Sequence, residues 1–278
     1  MKKFTSLSFA LVLISLASCT ERIDLDLNDQ DGRRLVVEGW FTNEEKQHEV
    51  NLTWTTSYFA NEAAPRVEGA LLNITDGDNN WELSETAPGV YLTPLVAGVP
   101  NTTYTINIEV EGEEYTASSF LREVAPVDSL HVRVLDPFEE FGFPGDSYYS
   151  VRIWTQELPG TGDRYMWQTY VNNESVRDTL RELTFVDDEA YDGVYVEDIE
   201  VDYLDIETEA TIGDTVLIEQ YNIGEEAYDI FIGIMNETQW NGGLFDAPPA
   251  NVETNLSNGA LGYWGAAGIS TKSTIIAE

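Results

Sequence analysis

From Tyr104 onward the chain alternates apolar and polar side chains with a period of two. Tyr104, Ile106, Ile108 and Val110 interleave with Thr105, Asn107, Glu109 and Glu111. An amphipathic helix repeats its apolar positions every three or four residues, so this spacing demands a strand with one buried and one wet face. Glu111-Gly112 supplies a turn into a second strand, Tyr115–Phe120. The same alternation recurs at Val50, Leu52 and Trp54, at Leu130, Val132 and Val134, and at Tyr149, Val151 and Ile153. Tyr165–Val171 and Thr215–Tyr221 read as further strands, and Asp76-Gly77 and Pro88-Gly89 as turns between strands.

Closely spaced short strands predict a mainly β protein. An immunoglobulin-like or transthyretin-like sandwich is expected over 33–124, a joint at Ala125-Pro126, and a second β-rich domain over 125–278 with one packed helix at about 225–240. Glu225, Glu226 and Asp229 suit that helix's positive end, and Asn241-Gly242-Gly243 stops it. Ile230, Phe231, Ile232, Ile234 and Met235 cover much of its circumference, so it is expected to pack on more than one side.

The first residues predict export. Lys2 and Lys3 precede a short apolar core, Phe9 to Leu16, and Leu16-Ala17-Ser18-Cys19 ends in the chain's one cysteine. The core is too short to span a bilayer permanently, so 1–18 reads as a cleaved lipoprotein signal and Cys19 as the acylated residue. Several acyl chains on one residue give firm anchoring. Residues 19–32 are polar and acidic, a tether between lipid and fold.

Charge narrows the partners. The chain carries 14 Lys plus Arg against 50 Asp plus Glu, a net −36, and cleavage would remove two lysines and no acid. Such a surface repels phosphate backbones and anionic lipid, which argues against nucleic-acid binding and polybasic membrane docking. Disorder is not expected, because 42% of residues are hydrophobic and 12% aromatic.

No Lys or Arg occurs between Arg181 and Lys272, while acids crowd Asp187 to Glu209. Carboxylates this dense need hydration, screening or a bridging cation. Asp187, Asp188, Glu189 and Asp192 could ligate Ca²⁺, the one cofactor the sequence suggests; the other reading is a solvated face. Asp76, Asp78 and Asn80 match the first three ligand positions of an EF-hand loop, but Trp81 and Ala87 replace its glycine and bidentate glutamate. A plain turn is expected there.

Catalytic patterns are scarce. His131 is placed on the wet face of a strand and His48 in a polar turn, and neither sits in a serine-hydrolase or zinc-protease motif. A two-carboxylate glycosidase needs only an acid pair and stays open as an alternative.

The run Asn255-Leu256-Ser257-Asn258-Gly259-Ala260-Leu261-Gly262-Tyr263-Trp264-Gly265-Ala266, preceded by Asp246-Ala247-Pro248-Pro249, and Leu35-Val36-Val37-Glu38-Gly39-Trp40 near the tether carry a family likeness. With them the chain resembles the Bacteroidota lipoproteins grouped as domain of unknown function 4249. That resemblance implies an outer-membrane lipoprotein, often encoded beside TonB-dependent receptors, and supplies no catalytic residues. Leu261, Tyr263 and Trp264 form either a kinked closing strand packed on the helix or an aromatic surface that docks a partner barrel or a sugar. Asp128-Ser129-Leu130, Asp178-Thr179-Leu180 and Asp214-Thr215-Val216 resemble the Bacteroidota O-glycosylation pattern, making Ser129, Thr179 and Thr215 candidate acceptors. Thr20-Glu21-Arg22-Ile23-Asp24 is similar to a surface-export signal, although Arg22 and Ile23 interrupt its acids.

The expected function is therefore that of a non-enzymatic binding or accessory lipoprotein, lipid-anchored at the outer membrane and exposed at the cell surface. It would serve a TonB-dependent transporter or other β-barrel complex in nutrient uptake. A structural subunit of an outer-membrane assembly and a surface glycoside hydrolase are the alternatives.

Overall fold

The computed structural model describes residues 33–56, 62–142, 144–160, 162–238 and 252–277. Cys19, the tether and the helix stop at Asn241-Gly242-Gly243 lie outside the described residues.

Eight strands come first: β1 (Leu35–Thr42), β2 (Glu49–Trp54), β3 (Leu71–Thr75), β4 (Asn80–Glu82), β5 (Ser84–Ala87), β6 (Val90–Leu92), β7 (Thr102–Val110) and β8 (Glu113–Leu121). There follow β9 (Val127–Leu135), β10 (Tyr148–Gln156), β11 (Arg164–Val171), β12 (Glu174–Ser175), β13 (Thr184–Asp187), β14 (Tyr195–Asp205), β15 (Thr215–Asn222) and β16 (Leu261–Ile275). A short helix, Pro137–Phe141, precedes β10, and a 15-residue helix, Gly224–Thr238, follows β15.

The alternation seen in the sequence is realised side chain by side chain. Tyr104, Ile106, Ile108 and Val110 are buried on β7, as are Tyr115, Ala117 and Leu121 on β8. Each large aliphatic so buried contributes roughly 1.5–3 kcal/mol. Glu111 and Gly112 both adopt positive φ, 54° and 82°, the backbone a tight two-residue hairpin needs.

Strands β4-β3-β7-β8 form one sheet and β14-β10-β9 another. A nine-stranded sheet with the order β12-β11-β15-β16-β1-β2-β6-β5, in which β13 also pairs with β11, faces them both. The result is mainly β and sandwich-like, with one substantial packed helix, as expected.

The two halves are not laid end to end. Leu261–Ala267 of β16 run parallel to β1, and Gly268–Ile275 run antiparallel to β15. One strand thus belongs to both sandwiches. The first core, expected within 33–124, also takes Leu256, Ala260, Trp264 and Ala266 from the far end of the chain. The second core begins at Ala125 and ends with Ile276. Arg34–Glu278 accordingly forms one unit. Gly262 makes the shared strand possible: its φ is 87°, and a Cβ there would stand 2.2 Å from the Val37 carbonyl oxygen.

The longer helix lies on the outer face of the large sheet. Ala227, Ile230 and Phe231 are buried and Ile234 half-buried, a stripe at i, i+3, i+4 and i+7 that meets Met166, Tyr263 and Trp40. Its burial is therefore one-sided, with Ile232 and Met235 only half-covered.

Candidate functional site

A cleft of about 610 Å³ opens between this helix and the outward face of β1, β2 and β16. Register decides its floor. Glu38 lies opposite Asn51 on β2 and opposite Tyr263 on β16, while Trp40 lies opposite Gly265. Alternation then puts Glu38, Trp40 and Thr42 on the cleft side and Val37 and Phe41 in the core.

Trp40 is the centre of an aromatic wall. Its ring lies 6.2 Å from Tyr221, 5.9 Å from Phe231 and 5.5 Å from Tyr263, in tilted or edge-on geometry. Gly265 leaves the space that wall needs, since a Cβ there would come within 2.5 Å of both the Trp40 and Tyr263 rings. Burial, together with the neighbouring Glu219 carboxylate, pushes the Tyr221 phenol well above its usual range, so it stays a neutral donor to Glu219 at 2.7 Å.

The opposite rim is polar. Lys46 is held by Glu44 at 2.7 Å, and the Gln47 side-chain amide donates to the Thr93 carbonyl at 3.2 Å. His48, expected in a polar turn, is instead 1% exposed. Its Nδ1 accepts from the Thr42 N–H at 3.4 Å and its Nε2 meets the Val96 carbonyl at 2.9 Å, which fits the neutral tautomer protonated at Nε2. Burial lowers its pKa. Both ring nitrogens are committed to backbone, so His48 offers no free base. Thr42 Oγ1, by contrast, is buried without a hydrogen-bond partner among the described residues.

A second cluster joins Glu157, Asp163 and Asp188, all buried, with carboxylate oxygens within 4.8 Å of one another. Sequence spacing hides it, because β10, β11 and the end of β13 bring the three acids together. Glu157 accepts from the Tyr165 hydroxyl at 2.8 Å and the Gly193 N–H at 2.9 Å. Asp188 accepts from Arg164 at 3.0 Å and the Asp163 N–H at 3.1 Å, and Asp163 faces Arg122 at 3.5 Å. Desolvation raises the pKa values of Glu157 and Asp163. Arg164, Arg122 and the Tyr165 hydroxyl partner the three acids, and we read the cluster as an ion-pair centre of the fold.

The Ca²⁺ ligand set expected from the sequence does not converge. Of Asp187, Asp188, Glu189 and Asp192, only Asp188 enters the buried cluster. Asp187 accepts from the Glu189 N–H, Glu189 is exposed, and Asp192 accepts from the Gly160 N–H at 2.7 Å. The acidic belt is compensated in part. Asp198 and Glu200 pair with Arg152, and Asp202 and Glu209 with the buried Arg177. These arginines precede the cation-free stretch in sequence and reach it across the sheets. The Asp76 loop is the turn expected, its carboxylate accepting from the Asp78 and Asn79 N–H groups.

Of the two readings of Leu261, Tyr263 and Trp264, the structure matches the closing strand packed on the helix and not the docking surface. Trp264 is wholly buried in the first core, Tyr263 is 6% exposed behind Trp40, and Leu261 is half-covered. Alternation along a strand enclosed on both faces puts both rings inside the protein. The candidate acceptors differ among themselves. Thr179 and Thr215 are exposed, Thr179 donating to Glu182 at 2.9 Å, whereas Ser129 is half-buried on β9. His131 is exposed, as expected, and its ring meets Trp154 edge-on at 4.7 Å.

Comparison with known proteins gives one family. The family described as domain of unknown function (DUF4249) matches residues 20–273. No curated protein matches the chain. Among solved structures, the Yersinia pseudotuberculosis adhesin InvE is similar at 15% identity and a TM-score of 0.21, over 69% of this chain. The chain spans 55% of that adhesin, and a likeness at this level bears on neither fold nor function.

Proposed function

The chain belongs to the DUF4249 family, and on that premise we propose that it is a lipid-anchored outer-membrane protein that works by binding. Acyl chains on Cys19 hold the β body at the membrane, with the cell surface as its working side. There it serves as an accessory component of a TonB-dependent transporter or another barrel complex in nutrient uptake.

The cleft beside Trp40 is the observation that carries this reading. It joins an aromatic wall to a polar rim, as recognition sites do. Its one histidine is locked to backbone atoms. The buried acids elsewhere are held by arginine, hydroxyl or N–H partners, so that cluster presents no unengaged acid–base pair. The cleft's own carboxylates, Glu38 and Glu49, keep the glycosidase as the alternative that a turnover assay decides.

The test is recovery of the acylated protein from envelopes in mild detergent. A β-barrel partner co-purifying in stoichiometric amount supports the proposal. An unmodified Cys19 thiol by mass spectrometry, or no barrel in the eluate, rejects it. Turnover of any polysaccharide by the purified chain would move the assignment to the glycosidase.

A further inference from the structure

We propose that the cleft beside Trp40 binds a short peptide in which a Lys or Arg side chain neighbours an apolar one. The inference rests on the binding reading above only in treating this cleft as a recognition site. Its cavity, about 610 Å³, is of the size that holds a small ligand.

Charge selects the occupant. Glu38, exposed on β1, has no polar partner among the described residues, and Glu49 has only the Asn51 amide at 2.7 Å. Among the described lining residues Lys46 is the one cation, and Glu44 already neutralises it; Arg66, outside the lining, reaches the Asn51 side-chain oxygen at 3.4 Å. Among the described residues the cleft therefore presents, to anything that enters, two carboxylates with no direct ion pair, in a chain of net charge −36. A cationic side chain satisfies them, and the neighbouring Trp40 and Tyr221 rings favour it further through their π faces. Phe231, Ile234 and Leu180 form the apolar side of the cleft, which an aliphatic or aromatic side chain would cover.

A neutral saccharide could stack on Trp40 but would leave both carboxylates uncompensated.

The experiment titrates the purified, acylated full chain in mild detergent with three probes. These are a capped pentapeptide of alternating lysine and leucine, its glutamate-for-lysine counterpart, and maltopentaose. Saturable binding of the lysine peptide alone is expected, weakening as salt rises. Glu38→Gln and Glu49→Gln should each weaken it roughly two- to fivefold, and the double variant about tenfold. Glu139→Gln with Glu140→Gln, exposed on the short helix, removes the same charge elsewhere and should leave binding unchanged. No saturable binding, equal binding of the glutamate peptide or maltopentaose, or equal weakening by the remote pair would overturn the proposal. A barrel partner recovered alongside such a failure would leave the accessory reading standing.

Discussion

Replacing Gly262 with alanine tests whether one strand truly serves both sandwiches. The position needs glycine for two separable reasons. Its φ of 87° lies where a side chain costs roughly 1–2 kcal/mol. In addition, the new Cβ would stand 2.2 Å from the Val37 carbonyl oxygen, against 3.4–4 Å for ordinary contact. The obstacle is backbone, so β1 and β16 must separate by about 1 Å, weakening ladder bonds worth about 1 kcal/mol each. The total is roughly 3–5 kcal/mol, or a fall in Tm of roughly 8–15 °C for a chain of this size. Gly112 is the control: its φ is 82°, but a Cβ there would meet nothing within 4 Å. Gly112→Ala should therefore cost only about 1 kcal/mol. Thermal and urea unfolding of the two variants, followed by tryptophan fluorescence, gives the comparison. Equal losses would refute the close approach of β1 to β16, since backbone strain alone would then account for both.

Other consequences follow from the buried charges. Asp188→Ala leaves the Arg164 guanidinium without its partner and should cost roughly 3–5 kcal/mol in urea unfolding. Glu157 and Asp163 have folded pKa values above their ordinary 4.5 and 3.8 because burial disfavours their charge. The folded state therefore holds more protons than the unfolded one above those values, and stability from this pair declines as pH rises through the folded pKa values. Glu157→Gln, which keeps the shape and can still bond Tyr165 and Gly193, should flatten that decline; an unchanged pH profile would contradict it. His48 has the opposite linkage: its folded pKa lies below 6.5, so its contribution is full above pH 6.5 and is lost as pH falls through the folded value. A His48→Gln variant should lack that loss in chemical unfolding measured between pH 7 and pH 5.

Much of the local structure was legible in the sequence because its cause is local. The alternation Tyr104–Val110 names its own buried face, and Glu111-Gly112 its own turn. Asp76 closes its loop by bonding to N–H groups two and three residues on, which needs no distant partner. The first-turn acids Glu225 and Glu226 place the start of the helix within one residue of Gly224. Its end was legible only as a stop at Asn241, outside the described residues.

What escaped the sequence depends on which strands become neighbours. Reading outward from Asp187, the acids looked unbalanced because their arginines, Arg152, Arg164 and Arg177, come earlier in the chain. Glu157 and Asp163 carried no signal of their own; only the packing of β10 against β11 and β13 sets them beside Asp188. For Tyr263 and Trp264 the sequence left two readings, a closing strand packed on the helix or a docking surface, and only the cover supplied by β1, the helix and the first core chooses the former. The amino-acid order by itself determined which segments are strands and which face of each is oily, since a two-residue period needs no further information. Pairing β1 in parallel with the distant β16, and so building the cleft around Trp40, was decided by the tertiary structure alone. A strand's side-chain pattern states that it must be covered, and leaves open by whom.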